Sequence, residues 1–138
     1  MASGSPFLKY RDILVHQSYS AAGALQDFTL SCYNGSLGQF RGDSIGNFDT
    51  EHFGIFLELV NHYRRHGEND QHFLEVGAAI WESRRERGRK LLADLAEHRA
   101  IKPSEYEDGS EREYWQQMDW LEREADRMKA KGWIDATN

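Results

Sequence analysis

Between Asp70 and Arg99 the apolar residues Phe73, Gly77, Ile80, Trp81, Leu91, Leu92 and Leu95 recur at helical spacing. At about 100° per residue they fall in one stripe. The phase survives a basic run in the middle, so the pattern predicts one helix of roughly 28 residues, over about 70–99, rather than two short ones. Gly88 lies on the same stripe. An interior glycine costs about 1 kcal/mol against alanine, so its use here is to let another helix approach closely.

The flanking segments read as shorter helices. Ser5-Pro6 is an N-cap followed by proline at the first helical position. Phe7, Tyr10 and Leu14 keep helical spacing to His16, although Ile13-Leu14-Val15 also fits a short strand. Ser20 opens a helix with Ala21, Ala24, Leu25, Phe28 and Cys32 on one face, closed by a left-handed turn at Tyr33-Asn34-Gly35. Residues 34–49 hold four glycines with Leu37, Phe40, Ile45 and Phe48 between them, a loop pinned by its own apolar anchors. Asp49 or Thr50 caps a helix to His66 that buries Phe53, Phe56, Leu57, Val60 and Tyr63, with Ile55 and Leu59 widening the face. Asn69-Asp70 caps the long helix. Ser110 and Glu113 form a capping box for a last helix, to about Lys131, that buries Tyr114, Trp115, Met118, Leu121, Ala125 and Met128. Gly132 ends it, and Trp133-Ile134 folds back. The expected fold is all-α, a compact bundle of about five helices around the long central one.

Composition changes this picture little. A chain of 138 residues, 39% hydrophobic and 12% aromatic, fits one domain over 1–138 with a short flexible leader at 1–5. The formal charge of −6 argues against a protein that coats nucleic acid with its whole surface. Cys32 is the single cysteine, no signal-type apolar run opens the chain and no segment approaches the ~18 apolar residues of a membrane span. A cytoplasmic protein without membrane association is expected.

Charge is unevenly placed. Residues 103–126 carry nine acids against two arginines, a net charge of −7. Glu111, Glu113, Glu122 and Glu124, with Trp120 off the apolar stripe as anchor, make a candidate partner-binding face for a basic protein surface or a nucleic-acid-binding groove. The bland alternative is a solvated helix. Arg84, Arg85, Arg87, Arg89 and Lys90 crowd seven positions and are candidate contacts for phosphates or an acidic partner, which leaves direct nucleic-acid binding as the second reading. Their alternative is a helix surface laced with ion pairs, Glu82 to Arg85 and Glu86 to Lys90. Arg84 stands apart because it falls on the apolar stripe.

Catalytic chemistry finds little support. Glu58, His62 and His66 form one column at i, i+4, i+8, to which His52 or His72 would add a metal ligand, but the column lies on the face expected to be solvated and lacks the H-E-x-x-H glutamate. No metal or other cofactor is expected. No serine sits in a G-x-S-x-G motif and the glycines form no phosphate loop. Arg41-Gly42-Asp43 matches an integrin-binding tripeptide by chance. The chain therefore reads as a non-enzymatic binding protein.

Leu30 through Tyr33-Asn34-Gly35, then Phe40, Asp43 and Asp49, leading into Phe53, Phe56 and Leu57, are similar to an uncharacterised domain family of bacterial plasmids, phages and integrative elements. There, a helix ends in an Asn-containing turn and a Phe-Asp-Leu segment leads into the next helix. Here Phe40 is followed by Arg41-Gly42-Asp43, without the Asp-Leu pair. The resemblance covers residues 25–60. It implies a helical fold and a mobile-element origin but no activity; it favours accessory or anti-defence roles, of which the most concrete is inhibition of a host nucleic-acid-targeting system through the acidic C-terminal helix.

Overall fold

A computed structural model describes residues 4–135, and among these the protein is all-α, 77% helical and without strands. The helices are α1 (Pro6–Lys9), α2 (Arg11–Val15), α3 (Ser20–Tyr33), α4 (Thr50–His66), α5 (Gln71–Ala100) and α6 (Glu111–Ala130). Short 3-10 turns occupy Gly42–Asn47, Gly67–Asn69 and Pro103–Glu105. The chain divides into two compact units, Met1–Ser83 and Arg84–Asn138, and α5 supplies residues to each.

The caps act as expected from their residue types. Ser5 accepts from the Phe7 amide, Asp49 from His52, Asp70 from His72 and Ser110 from Glu113. Gly67 and Gly132 take positive φ where α4 and α6 stop. The left-handed turn expected at Asn34-Gly35 is absent: Asn34 is extended at φ −159° and α3 simply ends. The expected Phe7–His16 helix is broken at Tyr10 into α1 and α2.

In the first unit, Phe7, Leu14, Leu25, Leu30, Leu59, Phe73 and Ile80 are buried around the N-terminal half of α5. Two faces differ from expectation. α3 buries Ala22, Leu25, Gln26, Thr29 and Leu30, one residue round from the anticipated stripe. Gln26 is accommodated because its amide donates to the carbonyls of Ile13 and Gln17. α4 buries Ile55, Phe56 and Leu59 and exposes Phe53 (39%) and Leu57 (43%), a rotation of roughly 70° about its axis. Apolar residues surround most of α4, so periodicity does not define one face. Tertiary contact decides: Phe56 packs against Phe28 of α3 and against Phe40 and Phe48 of the glycine-rich loop. Those two aromatic rings pin the loop, whereas Ile45 is exposed. The long helix also buries Val76, which the predicted stripe omitted.

In the second unit, Leu91 and Leu95 of α5 and Tyr114, Met118, Leu121, Ala125 and Met128 of α6 are buried with Trp133 and Ile134. His98 and Tyr114 clasp each other: His98 Nε2–H donates to the Tyr114 carbonyl at 2.9 Å, Tyr114 Oη donates back at 3.2 Å, and the rings stack. Gly88 does admit a close neighbour, but the neighbour is the segment after α6 rather than a helix. A Cβ there would lie 2.5 Å from the Trp133 carbonyl oxygen. Trp115, expected in the core, is 55% exposed.

Candidate partner-binding face and basic cluster

The buried side of α6 is set by Tyr114, Met118, Leu121, Ala125 and Met128. Counting about 100° per residue from that side, the proposed acidic residues separate onto two flanks. Glu111 and Glu122 lie on one, in line with Trp115, Asp119 and Asp126. Glu113 and Glu124 lie on the other, beside Trp120. Trp120, the anchor expected from the sequence, is 54% exposed. The Trp115 flank, which that expectation missed, holds the longer run of carboxylates. The wheel alone could have shown it, since Trp115 stands about 100° from the centre of the buried side.

Several of these carboxylates are engaged within the chain. Glu113 folds back over Gly109 and accepts from the Ser110 hydroxyl rather than from its amide. Glu124 pairs with Arg127, whose hydrogen bond holds its carboxyl below the usual value against the opposing effect of burial. Glu122 meets Arg99 at 3.3 Å, tying α6 to α5, and Asp119 meets Arg123 at 3.0 Å. Glu111 and Asp126 are exposed, and among the described residues neither is in an ion pair.

The basic run divides as well. Arg84 is 5% exposed, with its guanidinium 5.0 Å from the centre of the Trp133 ring. Arg87 approaches the same ring at 5.6 Å. Arg89 pairs with Glu86, the partner anticipated for Lys90. Arg85, Arg89 and Lys90 point to other sides of α5. The five residues thus form no single phosphate-facing surface.

The rotation of α4 brings the Glu58, His62, His66 column to the edge of the buried face. His62 Nε2 lies 2.8 Å from Asp70 Oδ2, which also accepts from the Ser5 hydroxyl at 2.5 Å. Glu58 is held by Lys9 and Tyr10. An open cleft of about 880 Å³ is lined by Ser5, Lys9, Glu58, His62, Arg65 and His66. Ser5 and His62 thus meet on the Asp70 carboxylate, which also caps α5 through the His72 amide. Among the described residues, no group of three His, Cys, Asp or Glu side chains is placed to hold a metal ion. Burial pushes the Cys32 thiol up, which keeps it protonated.

No described helix is long and apolar enough to cross a membrane. Comparison with family models, curated proteins and solved structures finds no match.

Proposed function

We propose that the chain is a non-enzymatic binding protein that docks on a basic protein surface through the Trp115 flank of α6. One observation carries this: an exposed indole lies in line with four carboxylates, Glu111, Asp119, Glu122 and Asp126, on a rigid helix. A half-exposed tryptophan supplies apolar area and a π-face for lysine or arginine, and the surrounding acids select the partner's charge. The same combination suits a groove built for nucleic acid. Together with the resemblance of residues 25–60, this makes inhibition of a host nucleic-acid-targeting system by a mobile-element protein the most concrete form of the proposal.

A nona-arginine peptide serves as the probe of basic surface. Binding should be salt-sensitive, fall at least tenfold in the Glu111→Lys, Asp126→Lys double variant, and weaken in Trp115→Ala. The charge-matched control Glu51→Lys, Glu75→Lys, remote in sequence on α4 and α5, should bind as wild type. Equal losses in both double variants would reduce the face to bulk charge and end the proposal. Reversing Glu113, Glu122 or Glu124 is less informative, because each also removes an internal contact.

A further inference from the structure

The side of α4 turned away from the core carries its own pattern. Counting about 100° per residue, Gly54, Leu57, Asn61, Arg64 and Arg65 fall within roughly 55° of the line opposite Ile55, Phe56 and Leu59, and Phe53 borders them. All six are exposed, Phe53 and Leu57 at 39% and 43%. Leu8 of α1, 49% exposed, continues this surface, since it lines the cleft beside α4 together with Asn61 and Arg65. Gly54 leaves a notch in it. A Cβ there would meet nothing within 4 Å and its φ is not positive, so neither packing nor backbone conformation within the described residues calls for glycine. Gly77 and Gly88, inside α5, are by contrast filled by Tyr33 and by Trp133. An interior glycine weakens a helix relative to alanine, and what it permits is close approach of another backbone. The free charge on this surface is positive. Glu58 is held by Lys9 and Tyr10, whereas Arg64 and Arg65 are in no ion pair among the described residues. Arginines in a last turn suit the helix dipole, but the dipole does not account for the apolar residues and the notch beside them.

We propose that this face is a docking site for an acidic amphipathic helix of a partner protein. The partner's apolar side chains, spaced at i, i+3, i+4 and i+7, cover Phe53, Leu57 and Leu8; its backbone approaches at Gly54, and its carboxylates meet Arg64 and Arg65. Guanidinium forks take carboxylates in bidentate fashion, so the two arginines select the charge of the partner and its register. A membrane surface suits the face less well, because Asn61 lies at its centre and Glu58 at its edge. This site is independent of the Trp115 flank: it uses only residues of the first unit and selects the opposite charge.

A synthetic helical peptide of about 18 residues, with leucine at every third or fourth position and glutamate elsewhere, tests it by fluorescence anisotropy with the full chain. The wild type should bind with an affinity that falls as salt is added, and the same peptide with lysine for glutamate should not bind. Leu57→Gln should weaken binding at least tenfold. So should the Arg64→Gln, Arg65→Gln double variant, which should also flatten the salt dependence. Gly54→Gln separates docking from folding. It should melt no lower than wild type, because glutamine is the better helix former at an open position, yet bind at least tenfold more weakly. Failure of the glutamate peptide to bind, equal binding of both peptides, or full binding by Leu57→Gln or Gly54→Gln would overturn the assignment. Binding to phosphatidylserine vesicles that is lost in Leu57→Gln would overturn it too, by giving the face to a membrane.

Discussion

Asp70 joins three segments through one carboxylate. It caps α5 through the His72 amide, accepts from Ser5 at the start of α1 and meets His62 of α4. Burial raises its carboxyl, but the hydrogen bonds from Ser5, His62 and the His72 amide outweigh that and leave it below the usual value. A carboxyl depressed in the folded state stabilises the protein at pH above its unfolded value of about 3.9, and that contribution is lost as pH falls through the folded value. Asp70→Asn keeps an N-cap of similar quality but cannot accept from both Ser5 and His62. It should cost about 1–3 kcal/mol at pH 7 in urea melts, and the gap to wild type should narrow below about pH 4. At this scale the sequence was legible where a residue's angular position was overdetermined. Arg84 fell on the stripe between Ile80 and Leu91 and is buried there. Trp115 was misplaced because apolar character was taken for burial, and exposed apolar residues are ordinary on protein surfaces. The pairing of His98 with Tyr114 joins residues sixteen apart and leaves no local signal.

Helix ends were easier to read than helix faces. An end is written in two or three adjacent residues, such as Ser5-Pro6, Asp49-Thr50 or Ser110 through Glu113, whose side chains reach their own backbone. A face depends on what arrives from elsewhere in the chain, and for α3 and α4 that was the glycine-rich loop with Phe40 and Phe48. The continuity of α5 was legible because its apolar phase holds across the basic run. Gly88 tests the consequence within that helix. By intrinsic propensity, Gly88→Ala should stabilise α5 by up to about 1 kcal/mol. The Trp133 carbonyl and Ile134 Cγ1, 2.5 and 2.9 Å from the new Cβ, reverse the sign. Thermal melts should show the variant destabilised by about 1–3 kcal/mol, in line with overpacking, whereas a stabilised variant would mean that the C-terminal segment does not pack there.

Across the whole chain, the all-α class followed from periodicity, while the division near Ser83 had no mark in composition because α5 runs through it unbroken. The charge imbalance was legible as a count, and the structure gives it direction by setting Glu111, Asp119, Glu122 and Asp126 in line with Trp115. That arrangement has an optical consequence. Of the four tryptophans, Trp115 and Trp120 are half-exposed, Trp81 is partly covered and Trp133 is buried, so solution quenchers report mainly on α6. Iodide should quench this emission poorly at low ionic strength and caesium well, with neutral acrylamide in between. The difference should shrink as added salt shortens the Debye length towards about 8 Å. Replacing Glu111 and Asp126 with lysine should reverse the order of the two ions. The fluorescence of this helix thereby becomes a voltmeter for its own surface.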